Sequence, residues 1–185
     1  MTSINPQEAA SALSDVDAIS RRVRQSVFYN HASQMLVLWG ALVFAGHVAS
    51  YAFPRQAQLI WIAVYVAGIG GSLIIGARDH KRSGVRTFDA RMLTALLLFF
   101  AFGFLWSVGI VQLTPRQQCA FWPTYFMLAY TLVGLWLGWA FVAIGLGITA
   151  LTMVGYFLIG SWFDLWMAVV NGGGLILGGL WMRRN

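Results

Sequence analysis

Residues 117–163 read QQCAFWPTYFMLAYTLVGLWLGWAFVAIGLGITALTMVGYFLIGSWF, without a single Asp, Glu, Lys or Arg. As one helix this stretch would extend about 70 Å at 1.5 Å per residue, over twice the roughly 30 Å of bilayer hydrocarbon. It must therefore fold back once. Gly134 and Gly138 bracket the best break, leaving near-equal apolar runs at 119–137 and 139–160. A break at Gly145-Leu146-Gly147 would leave the second run too short to cross.

Working outward, the same length criterion marks further crossings at 33–53, 59–77, 92–113 and 165–182. Pro54-Arg55-Gln56 and Thr114-Pro115-Arg116-Gln117 supply turns, and a basic loop covers 78–91. The expected fold is all-α: a polytopic bundle of six transmembrane helices over 33–182, after a cytoplasmic segment 1–32 and before a short tail, 183–185.

Composition agrees. The chain has 185 residues, 59% hydrophobic and only 10% charged, whereas soluble domains carry about 25% charged residues. Too few charges remain to cover a soluble surface, but lipid accepts apolar atoms. The net charge of +6 does not point to nucleic acid, because the basic residues sit in a few short loops. No cleavable signal peptide is expected at the N-terminus, which begins polar and acidic.

Those basic residues orient the chain. The N-terminal segment holds three, the 78–91 loop five and the C-terminus two, against one each at Arg55 and Arg116. Short basic loops stay cytoplasmic. The expected location is therefore a bacterial inner membrane with both termini in the cytoplasm.

Asn5-Pro6-Gln7-Glu8 is a helix-start pattern, in which Asn5 caps and Pro6 fits the first helical position. Leu13, Val16, Ser20, Val23 and Val27 then recur at three- and four-residue steps. That spacing predicts an amphipathic helix to about Phe28, lying on the inner leaflet or serving as a docking helix for a partner.

The two Pro-Arg-Gln turns are each followed, at equal spacing, by a tryptophan: Trp61 and Trp122. Trp166 opens a similar stretch in the last crossing. The chain thus reads as three tandem helical hairpins in the same orientation.

Polar groups in hydrocarbon are costly unless partnered, so they are the residues to inspect for function. His47 lies in the first crossing; Asn171 lies in the sixth, with Asp164 at its end. Asp164, Asn171 and Gly178 are seven apart and should share a helix face, as should Gly40, His47 and Tyr51. By depth, His47 should be level with Asn171, and Tyr51 with Asp164. Two readings follow: a packing contact, or an outward-facing polar cavity for a ligand, ion or proton. Gly134 with Gly138, and Gly174 with Gly178, form Gly-x-x-x-Gly pairs suited to close helix approach. Gly174 and Gly178 are expected to admit the first crossing.

Known catalytic patterns are absent: no His-Glu-x-x-His, phosphate-binding Gly loop or Gly-x-Ser-x-Gly. The lone Cys119 cannot make an internal disulfide or a Cys-based metal site. Neither a cofactor nor a metal is expected. The expected function is non-enzymatic: an accessory, scaffolding or regulatory membrane subunit, with lipid, other membrane proteins or further copies of itself as partners. The alternative is a small transporter or channel using His47, Asn171 and Asp164.

Overall fold

The computed structural model describes the backbone of residues 6–83 and 90–184, and side chains within 29–78 and 91–184 except those of 92 and 137. Asn5, the apolar stripe at 13–27 and most of the basic loop's side chains lie outside that description. All regular structure among the described residues is helical. Helix α1 spans Pro6–Ala52, α2 Ala57–Ser83 and α3 Ala90–Phe104, the last continuing through a π-helical segment, Leu105–Ile110. Helix α4 spans Pro115–Leu137 and α5 Trp139–Leu158. Helix α6 spans Phe163–Met182, with a π-helical segment at Ala168–Gly173.

The amphipathic segment and the first crossing form one helix of 47 residues, where sequence periodicity suggested two. No Pro or Gly occurs between Gln7 and Trp39, so nothing there interrupts the backbone hydrogen-bond ladder. The helix ends where Pro54 forces its predecessor out of the helical region: Phe53 has φ −129° and ψ 67°. At the equivalent turn before α4, Thr114 and Gln117 form a reciprocal capping box: the Gln117 N–H donates to Thr114 Oγ1, and the Thr114 N–H donates to Gln117 Oε1 at 2.8 Å. The uncharged stretch turns at Gly138, whose φ of +138° strains any residue with a Cβ.

Among the described residues, five helical segments are long and apolar enough to cross a membrane: Tyr29–Ala52, Pro54–Arg78, Leu93–Ile110, Trp139–Leu158 and Phe163–Met182. Helix α4, 23 residues long, mixes its apolar residues with Gln117, Gln118, Thr124, Tyr125, Tyr130 and Thr131.

One core joins four helices. Leu36 of α1, Met127 of α4, Phe141, Ile144 and Ile148 of α5, and Val170, Leu175 and Met182 of α6 form its main cluster. Helix α1 lies along α6, backbone to backbone: a Cβ on Gly172 would come 2.6 Å from the Phe44 backbone, and one on Gly40 would come 2.8 Å from the Gly172 carbonyl. Helices α4 and α5 meet equally closely at Gly134, where a Cβ would lie 2.7 Å from Val142 N. Helix α2 flanks α1, with Trp39 Nε1 donating to Ser72 Oγ at 3.1 Å. Helix α3 rests on α4 through aromatic rings, Phe99 stacking on Tyr125 at 4.2 Å.

The three tryptophans of the repeat occupy matching places. Trp61 covers Gly46 of α1, Trp122 covers Gly103 of α3 and Trp166 covers Gly155 of α5. In each hairpin, an indole from the second helix seats on a glycine of the first.

Gly174 and Gly178 do not admit α1. Their missing side chains make room for Ile148 and Ile144 of α5, while Gly172 and Gly179 face α1. The physical cause is the π-helical segment, which inserts an extra residue per turn. It rotates everything downstream by about 100° relative to an unbroken helix. The seven-residue stripe from Asp164 to Gly178 therefore does not remain on one face.

Candidate functional site

At the end of the bundle marked by Pro54 and Pro115, three helices bring together three different donor atoms. His47 of α1 is 1% exposed. Its Nδ1 lies 3.8 Å from Cys119 Sγ, on the second turn of α4. The Cys119 thiol donates to Asp164 Oδ1, in the first turn of α6, at 3.5 Å. The ligand atoms of the three residues all lie within 4.8 Å of one another. Cys119 and Asp164 are half-buried, so the cluster is deepest at His47 and shallowest at the other two.

Each position has a local cause. Asp164 sits at a helix N-terminus, where backbone N–H groups favour a carboxylate. Cys119 follows Arg116 by one turn. The Arg116 guanidinium donates to the carbonyls of Gly160 at 2.9 Å and Tyr156 at 2.8 Å, and also to Ile159, closing the C-terminal end of α5. It also lies over the rings of Tyr156 and Phe163, 5.5 and 4.9 Å from their centroids. This clamp ties the start of α4 to the α5–α6 turn, which presents Cys119 to Asp164. On the other side of His47, the Trp61 ring packs edge-on at 4.9 Å.

Of the residues singled out from sequence, His47 and Asp164 meet here. Tyr51 stacks on Trp162 at 5.9 Å, beside Asp164 in the chain. Asn171 is buried at 6% exposure in the π-helical segment of α6 and makes no hydrogen bond to His47 among the described residues. The expected His47–Asn171 pairing is replaced by the backbone contact of Gly172 with Phe44. Cys119 and Arg116 were missed as site residues. A signal existed: Pro54, Pro115 and Asp164 all mark one end of the bundle, and His47 and Cys119 each lie within two turns of a proline.

Chemically, the order of contacts matters. In a thiol nucleophile triad the imidazole stands between thiol and carboxylate. Here the thiol stands between the other two, so the imidazole is not oriented by the acid. The arrangement instead suits one group touching nitrogen, sulfur and oxygen at once. Among the described residues, four buried side-chain polar atoms have no hydrogen-bond partner: His47 Nε2, Ser50 Oγ, Ser107 Oγ and Thr152 Oγ1. Ser50 lies one turn beyond His47 on α1.

Fold and site define a class, an all-helical bundle with helices of membrane-crossing length. Comparison with known protein families, characterised proteins and solved structures returns no match.

Proposed function

We propose that this chain is a multi-pass protein of a bacterial inner membrane, acting as an accessory, scaffolding or regulatory subunit through helix packing. Helix α4 makes the sixth crossing. Its 23 residues suffice in length, and its paired helix α5 is itself of crossing length and apolarity. Trp136 and Trp139, 81% and 80% exposed beside the Gly138 turn, suit a headgroup boundary. The basic residues then put both termini and the 78–91 loop in the cytoplasm.

One observation carries the functional reading. His47 and Asn171, the polar residues on which a transport path would depend, are 1% and 6% exposed, and the seam between their helices is filled by backbone contact at Gly172. Meanwhile α2 and α3 present broad apolar faces, including Leu59, Val66, Leu73, Leu98 and Phe102, each at least 60% exposed. Such faces fit lipid or the helices of another membrane protein. The test is gentle extraction and co-purification of the full chain from its native membrane, after crosslinking through photoreactive residues at Val66 and Leu98. Stoichiometric capture of a membrane protein, or of a second copy, is expected. Capture of lipid alone, together with solute flux in proteoliposomes, would overturn the scaffold reading in favour of a transporter.

A further inference from the structure

We infer that His47, Cys119 and Asp164 form a binding site for a divalent ion of the zinc class. The inference stands apart from the scaffold reading, since the site would serve a scaffold and a transporter equally.

Geometry comes first. Tetrahedral zinc bonds of 2.0–2.3 Å place neighbouring donor atoms about 3.3–3.7 Å apart. The thiol lies 3.8 Å from the imidazole nitrogen and 3.5 Å from the carboxylate oxygen, and all the donor atoms fall within 4.8 Å. A small inward movement of side chains closes this triangle on one ion. The donors come from α1, α4 and α6, so only the fold brings them into one set. One thiol does not make a site; folding adds the other two donors.

The second observation is the state of the imidazole. His47 is 1% exposed; among the described residues its Nε2 has no hydrogen-bond partner, and its Nδ1 meets the thiol at 3.8 Å. Burial has removed its water without a strong replacement, which is unfavourable for a polar ring. An ion at Nδ1 would give the ring a strong ligand bond in place of the long thiol contact, and Nε2 would carry the ring proton.

Donor chemistry selects the ion. Imidazole and thiolate suit zinc and its borderline neighbours, whereas calcium and magnesium prefer oxygen donors alone. A thiolate and a carboxylate would neutralise a doubly charged ion, leaving no net charge to bury. Three protein ligands would leave a fourth position open. Bound there, the ion would tie the first, fourth and sixth helices together at one end of the bundle.

Cys119 is the sole cysteine, so thiol chemistry reports on this site alone. The experiment uses the full chain in detergent micelles with Co2+ as the spectroscopic probe. A thiolate-to-cobalt charge-transfer band and the intense visible bands of tetrahedral Co2+ are expected, at one ion per chain and displaced by Zn2+. Cys119→Ser should abolish the charge-transfer band. His47→Gln and Asp164→Asn should each weaken Co2+ binding by about tenfold or more. Where a variant fails to fold, the unmodified chain still decides: Zn2+, but not Mg2+, should slow maleimide alkylation of Cys119, and a chelator should reverse the effect. Lack of a charge-transfer band at saturating Co2+, affinity indifferent to both the His47 and Asp164 substitutions, or alkylation unaffected by Zn2+ would each overturn the site.

Discussion

The hydroxyl of Ser33 donates to the carbonyl of Gly179 at 2.7 Å, joining the first and last helices across 146 residues of chain. Ser33 is 1% exposed, so water does not compete for the bond. Interhelical hydrogen bonds in membranes average about 0.6 kcal/mol, because the unfolded chain in lipid also finds partners. Ser33→Ala should therefore lower stability by about that amount, measured by reversible denaturation in mixed micelles. A loss beyond about 2 kcal/mol would mean that Ser33 does more than this contact shows.

The α1–α6 seam predicts a contrast between neighbours. A Cβ on Gly172 would lie 2.6 Å from the Phe44 backbone, while one on Gly173 would meet nothing within 4 Å. Gly172→Ala should cost about 1–3 kcal/mol through overpacking, and Gly173→Ala should cost nothing measurable. Equal unfolding midpoints for the two variants would contradict the seam.

Arg116 closes three carbonyls at the end of α5. Arg116→Met removes the donors and should speed hydrogen exchange at residues 160–164, with a stability loss of about 1 kcal/mol. A hydrogen bond to a charged group is worth about 1.5–3 kcal/mol, and the exposure of Arg116 reduces that. Arg116→Lys should restore only part, since a single ammonium lacks the planar fork. Unchanged exchange in Arg116→Met would show that the clamp does not hold the turn.

Among the hairpin glycines, Gly155→Ala should disturb its tryptophan most. An added Cβ there meets the Trp166 ring directly, whereas at Gly46 the nearest Trp61 atom would be 3.7 Å away, ordinary contact. The tryptophan emission should shift in Gly155→Ala and stay constant in Gly46→Ala. The opposite pattern would refute the seating of Trp166 on Gly155.

The proposed topology has its own readout. In a Cys119→Ser background, single cysteines replacing Asn5, Ser83 and Asn185 should react only from the cytoplasmic side. Those replacing Gln56, Gln117 and Ser161 should react only from outside. External labelling at Asn185 would remove α4 or another helix from the set of crossings.

What could be read from sequence was whatever depends on local chemistry. Pro54, Pro115 and Gly138 announce turns through their own backbone preferences, and long apolar runs announce crossings through length alone. The Trp61, Trp122 and Trp166 correspondence was visible because equal spacing after a turn gives equal depth. Lateral arrangement was another matter. The extra residue in the π-helical segment at Ala168–Gly173 has no marker in an apolar stretch rich in glycine, so the phase of α6 could not be followed beyond it. That single residue accounts for the misplacement of Gly174, Gly178 and Asn171. Cys119 was passed over because a lone thiol becomes informative only when other helices place His47 and Asp164 beside it.

The seating of one indole on one glycine in every hairpin bears on the order of assembly during synthesis. Each hairpin can lock as soon as its second helix has left the ribosome, since both halves of the contact are then in the membrane. The Ser33–Gly179 seam has no such freedom. At about 5–20 residues per second, the 146 residues that separate them take roughly seven to thirty seconds to make. For that interval the first helix must wait with its glycine face uncovered, and a membrane chaperone or another newly made helix could occupy the place that α6 will later take.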